Sequence, residues 1–364
     1  MLATSQDKQA AKDKLYGLIQ QGAQSAITTI DQVMRSHPKD ELPRGGELRF
    51  EGLVSRGEII TQYNTPEGPV TRRLHRNAVN QMAQVADMPM KYVDSLRETR
   101  EPWGQELLAH NLQTVFHQRH NRKRFLVRSV DGQARGFLSD QYRRIDCRPI
   151  VAAFVEGVKA KGALAYDGVV TDTKVNIKAI YPEVYEPIPG ELIAFGISLE
   201  NSDYGNGALS VREYIHRIWC TNLAIFEETM RQIHLGRRLE ENLIYSQRTY
   251  ELDSRTTVSA LDDVIRMRLD AGSLDTKVRQ LQAANEKGVT AEEARNQLKK
   301  LLNKGEAEDA AKAFESADTH NLPEGNTAWR LSNAISWIAA QAGIEPERKL
   351  ELSKIAAQVL PKAA

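Results

Sequence analysis

Cysteine is nearly absent from this chain: Cys147 and Cys220 are the only two. A pair of thiols cannot build a disulfide framework, so a reducing compartment is expected. Aromatic residues are also sparse, at 6%. No apolar run approaches the roughly 18 residues that a membrane-spanning helix needs, and the stretch Met1–Lys12 lacks the apolar core of a secretory leader. These absences lead to the expectation of a cytoplasmic protein with no membrane partner. An excess of one charge is missing too. Lys and Arg total 49 against 48 Asp and Glu, a formal net charge of +1. The chain as a whole therefore does not advertise a polyanion partner, and any such partner must be held by a local patch. Phosphate-binding and hydrolase motifs are absent: no P-loop, no G-x-G-x-x-G after a strand, no H-E-x-x-H, no G-x-S-x-G. The expectation is no cofactor, no metal and no assignable catalytic residue.

What is present is an apolar share of 41% over 364 residues, enough for a real core. Helical spacing of Leu15, Leu18, Ile19, Ala26, Ile30 and Val33 predicts a helix over 9–36, stopped by His37-Pro38. Short strands are predicted at 47–54 and 58–63, helices at 75–98 (broken at Met88-Pro89) and at 103–118. From Arg122 the texture changes to β-branched and period-two runs at 124–130, 134–138, 169–181, 192–200 and 209–220, with a helix at 149–161 between them. Asp131-Gly132 joins the first two runs and signals a hairpin. Beyond Cys220 helix is predicted throughout, over 222–246, 256–285, 290–303, 326–342 and 346–359. The Ala/Glu/Lys/Gln-rich stretch 271–318 reads as solvated helices and linkers. The fold class is then α+β: hairpin, helix, a three-stranded antiparallel meander and a long helix, flanked by N- and C-terminal helices. The expected division is 1–70 (helix and short strands), 71–250 (a central nucleic-acid-binding domain) and 251–364 (a helical region).

The sharpest chemical signal lies in residues 117–148. Arg119, Arg122, Lys123, Arg124, Arg128, Arg135, Arg143, Arg144 and Arg148 stand there against only Asp131, Asp140 and Asp146. Arginine's planar fork suits bidentate phosphate contact, and Tyr142 beside Arg143-Arg144 is the ring-and-charge pairing used in single-strand grooves. The candidate nucleic-acid contacts are Arg122, Lys123, Arg124, Arg128, Arg135, Tyr142, Arg143 and Arg144, with Arg212 and Arg217 on a later strand. The competing reading is a solvated hairpin with structural ion pairs. His110, His117 and His120 lie close in sequence, but without matching Cys or carboxylate spacing they read as a helix end and not a metal site. Cys220 before Thr221-Asn222 reads as a buried residue ahead of an N-cap. The loop 201–207 carries two glycines and reads as a turn.

The segments Arg135-Gly136-Phe137-Leu138-Ser139-Asp140-Gln141-Tyr142-Arg143, Leu199–Gly205 and Tyr214…Arg217-Ile218-Trp219-Cys220-Thr221-Asn222 resemble a phage- and plasmid-associated family of unknown function. That family carries "flSdrYr", "NSe-G" and "R-x-x-CtNG" motifs in this order. The resemblance runs over about residues 75–340; Leu223 stands where the family has glycine. The order of three antiparallel strands and a long helix is also similar to the core of single-strand annealing proteins, which form rings around a basic groove. What this implies is a mobile-element protein that binds and anneals single-stranded DNA as a homo-oligomer. Two alternatives stand beside it: an interaction module of a defence or counter-defence system working through 271–318, and a metal-dependent nuclease using Asp140, Asp146 or Asp203.

Overall fold

The computed structural model describes residues 2–53, 58–99, 101–219, 223–232, 234, 246–316 and 322–361. The fold is α+β, with two largely antiparallel six-stranded sheets and eleven α-helices among these residues.

The first sheet is built from β1(Lys39–Glu41), β2(Arg49–Leu53), β3(Glu58–Thr65), β4(Gly68–Leu74), β5(Phe125–Val130) and β6(Gln133–Ser139), in the order β1-β5-β6-β4-β3-β2. Its one parallel pairing, Arg73 to Gln133 and Leu74 to Ala134, zips the early β-meander onto the later hairpin. Asp131 (φ 50°) and Gly132 (φ 75°) both take left-handed backbone at the hairpin tip, as a two-residue turn matched to strand twist requires. Helices α2(Arg76–Val85), α3(Met90–Glu98) and α4(Trp103–Arg119) pack on this sheet, burying Val79, Met82, Leu112 and Phe116 against Phe125 and Phe137.

The second sheet holds β7(Leu164–Val170), β8(Val175–Ile180), β9(Tyr185–Ile188), β10(Glu191–Asn201), β11(Leu209–Arg217) and β12(Leu223–Gln232); β12-β11-β10-β8-β7 is the main order, and β9 adds to β10. Helices α5(Cys147–Ala160) and α6(Gln247–Arg268) bury Phe154, Leu261 and Ile265 against Ile177, Ile197, Leu199 and Val211. The first helix, α1(Ser5–Arg35), is closed at its start by a Thr4–Asp7 capping box and lies along β7. The C-terminal helices α7(Ala271–Glu286), α8(Ala291–Leu301), α9(Lys304–Glu315), α10(Ala328–Ala339) and α11(Pro346–Gln358) follow. No helix of the described residues is long and apolar enough to cross a membrane.

Three expectations are corrected. The helix predicted over 222–246 is strand β12 across Leu223–Gln232, paired with β11 from Leu209↔Gln232 to His216↔Leu223. Its Ala, Glu, Met and Gln favour helix locally, but pairing with a buried neighbour strand prevails over propensity. The long helix starts instead at Gln247. The run 169–181 is two strands, β7 and β8, turned at Thr171–Lys174, where Thr171 N donates to Lys174 O at 2.8 Å. The described part of 271–318, residues 271–316, is not solvated linker, because Leu281, Leu298, Ala310, Ala313 and Phe314 are buried with α10 and α11 or against the second sheet. The boundaries at 70/71 and 250/251 lie within β4 and α6. Cys220 and Thr221-Asn222 lie outside the described residues.

Candidate nucleic-acid interface

The arginine-dense segment folds inward more than outward. Arg128, on β5, is 1% exposed. Its Nε donates to Asp40 Oδ1 at 2.8 Å, Nη1 to the Asp203 carbonyl at 2.8 Å, and Nη2 to Asp146 Oδ1 at 2.7 Å. Burial opposes its charge, yet the aspartates around it, Asp146 and Asp40 foremost, override burial and raise its pKa. Asp203 Oδ1 accepts from the Cys147 backbone N–H at 2.7 Å, in the first turn of α5. Burial pushes the Asp203 carboxyl up and the Cys147 thiol well up, so this thiol is a poor nucleophile.

The segments Arg135–Arg143 and Leu199–Gly205 meet at this joint. Asn201 Nδ2 donates to the Ile145 carbonyl at 2.8 Å, and Tyr142 OH to the Ser202 carbonyl at 3.4 Å. Ser202 Oγ donates to the Thr173 carbonyl and receives the backbone N–H of Tyr204 and Asn206. From α2, which packs on the first sheet, Asn77 Nδ2 and Gln81 Nε2 donate to the Tyr204 carbonyl at 3.0 and 2.8 Å. Gly136 lies so close to Tyr204 that a Cβ there would sit 3.2 Å from its Cα. The loop 201–207 is thus the polar weld between the two sheets.

The predicted contact residues are dispersed. Tyr142 is buried and stacked on His234, ring centroids 5.0 Å apart and 6° from parallel. Arg143 grips Asp253 on α6 with two 2.6 Å bonds. Arg144 lies over the Tyr250 ring at 4.3 Å, its Nε 3.1 Å from Asp40 Oδ2. Arg212 pairs with Glu200 at 2.7 Å, and Arg217 with Glu191 through two 2.7 Å bonds, all four within the second sheet. Arg135 reaches the Asp172 carbonyl at 3.2 Å and its carboxylate at 3.6 Å. Arg122 and Lys123 are exposed after α4, Lys123 Nζ standing 5.3 Å from the Phe125 ring, and Arg124 bridges to Arg44 through the backbone. The ten do not converge on one open surface, because most of the guanidinium charge is matched by neighbouring carboxylates.

His117 Nε2 and His120 Nε2 contact the Leu48 and Val85 carbonyls at 2.8 and 3.2 Å. Among the described residues no three His, Cys, Asp or Glu side chains form a group able to hold a metal ion. Asp146 and Asp203 are engaged as above.

What the fold does assemble is a cleft between the sheets. One chamber, about 850 Å³, opens beside the hairpin tip and is lined by Arg35, His37, Lys39, Arg72, Arg135 and Lys174, with Asp131, Asp172 and Asp203. A second chamber, about 740 Å³, shares His37 and Lys39 with the first and adds Arg128, Arg144, Tyr250 and Arg255, with Asp40, Asp146 and Glu251. Arg35, His37, Lys39, Arg72, Tyr250 and Arg255 were not singled out from sequence, since no local charge cluster marks them. No family model, no curated protein and no solved structure matches this chain.

Proposed function

We propose that the chain is a single-stranded DNA-binding and annealing protein of phage or mobile-element origin, working as an oligomer, with the strand lying in the inter-sheet cleft. The observation that carries this reading is the type of ion pair along the first chamber. Lys39 pairs with Glu67 at side-chain exposures of 52% and 76%, and Arg35 sits 3.8 Å from Asp31 at 85% and 60%. Exposed pairs of this kind contribute only about 0–1 kcal/mol, so phosphates can replace the carboxylates at small cost. The internal pairs of Arg128, Arg212 and Arg217 have no such freedom. The succession β10-β11-β12 followed by α6 also has the strand and helix order expected of annealing proteins.

The test is fluorescence anisotropy with a labelled oligothymidylate at several salt concentrations. Affinity should fall as salt rises, and the triple variant Arg35→Ala/Lys39→Ala/Arg135→Ala should lower the log–log slope by roughly two to three units. Binding that is absent at low salt, or indifferent to the triple variant, rejects the reading.

A further inference from the structure

Arg144 is an unusual arginine within this protein. Its side chain is only 14% exposed, and its guanidinium carbon stands over the Tyr250 ring, 4.3 Å from the centroid. Its Nε is buried and 3.1 Å from Asp40 Oδ2, yet that approach is too poorly aligned to be a hydrogen bond, and Nε has no other partner among the described residues. Asp40 Oδ1 is already taken by Arg128. By contrast Arg143, the next residue, has its Nε–Nη2 edge occupied by both carboxylate oxygens of Asp253. Stacking on a ring fixes the plane of a guanidinium and leaves its edge donors available for an anion.

That edge belongs to the second chamber. Exposed Arg255 on α6 and half-exposed Lys39 on β1 stand on its walls, with Pro149 and Leu42 as apolar surface. Four cationic side chains there, Lys39, Arg128, Arg144 and Arg255, face three carboxylates, Asp40, Asp146 and Glu251. Arg128 and Arg144 both lie against Asp40, and Lys39 also reaches Glu67 in an exposed pair at 2.8 Å, so the cations lining the chamber exceed its carboxylates by one. Three separate cations suit a tetrahedral anion with three terminal oxygens better than a planar carboxylate, which one fork satisfies. The volume, about 740 Å³, exceeds a bare phosphate and leaves room for the group that bears it.

We propose that the chamber floored by the Arg144–Tyr250 stack is a phosphate-monoester site, with Arg144 as the bidentate fork and Arg255 and Lys39 as flanking cations. Its two possible sources are the terminal phosphate of a DNA strand, a form that rests on the DNA-binding reading above, and a free phosphate or mononucleotide, which does not.

The experiment uses the full chain and two probes. Inorganic phosphate is compared with chloride at equal ionic strength by thermal melting, and 5′-phosphorylated oligothymidylate is compared with its 5′-hydroxyl and 3′-phosphate counterparts by anisotropy. Phosphate should raise the melting temperature of wild type, and the 5′-phosphate strand should bind about tenfold tighter than the 5′-hydroxyl strand, the effect of one two-pronged charged contact. Arg144→Lys, which keeps charge but loses the fork, should erase most of both effects. Arg255→Gln, at an exposed helical position where folding is secure, should weaken both. Phosphate stabilisation without binding of any strand keeps the site and rejects DNA as its source. A 3′-phosphate preference assigns the other strand end to the same chamber. Equal binding of all ends together with no phosphate effect on melting overturns the proposal.

Discussion

Arg143 and Asp253 are joined by two parallel hydrogen bonds, Nε to Oδ2 and Nη2 to Oδ1, each 2.6 Å. The pair fastens the segment leaving the hairpin to the second turn of α6. With the arginine 23% and the aspartate 35% exposed, the contact is partly shielded from solvent. Arg143→Ala should cost about 1–3 kcal/mol, measured as a lower urea midpoint with an unchanged slope.

Arg128→Met should be far more damaging. The methionine fills space but leaves Asp40 and Asp146 facing each other across a hole where a cation stood. Removal of one partner from a buried ionic cluster costs roughly 3–5 kcal/mol. Denaturant unfolding should show that loss, and adding Asp40→Asn and Asp146→Asn should restore part of it.

The buried histidines make stability depend on acid. Burial, reinforced by Lys14 and Lys178, brings His216 down from 6.5 to about 4, and neither ring nitrogen has a partner among the described residues. Burial, with Arg128 and Arg143 adding to it, brings His234 to about 4 as well, against the Arg143 carbonyl and Asp146, which favour the charged ring. A depressed folded-state value means both histidines bind protons more readily when unfolded. Their contribution is complete above about pH 6.5 and is withdrawn as pH falls towards 4. The melting temperature should therefore fall across that window, and His216→Leu should make the descent shallower while leaving neutral-pH stability intact or raised.

Gly196 on β10 faces the Tyr214 ring so closely that a Cβ would lie 2.1 Å from Cζ. Tyr214 cannot retreat freely, because its hydroxyl donates to the Ala179 carbonyl at 2.9 Å within a fully packed interior. Gly196→Ala should destabilise by about 1–3 kcal/mol or more. Pairing it with Tyr214→Leu, which vacates the ring position, should recover much of the difference in a double-mutant cycle.

The elements most legible in the sequence were those whose signals are local. The Asp131-Gly132 turn, the helix break at Met88-Pro89 and the amphipathic spacing of α1 all rest on the chain's immediate neighbours, and each has its counterpart in the structure. What misled was information held at a distance. Leu223–Gln232 is a strand because β11 lies beside it, and Phe314 is core because α10 folds back over α9. The candidate site shows the same division. Nothing near Arg128 in sequence announces Asp40, and nothing near Arg144 announces Tyr250. A run of arginines records how many cations are near one another along the chain. It does not record how many carboxylates the fold will bring to meet them.

The placement of α1 along β7 has a bearing on how the chain is made. Leu15 and Ile19 have no exposure or almost none once docked against Ile180, Leu192 and Tyr214, but those partners leave the ribosome long after Arg35 does. At about 5–20 residues per second, the nascent helix waits on the order of ten seconds with its greasy side uncovered. A chaperone that recognises apolar helices during translation should engage this chain at its first segment and be released when the second sheet emerges.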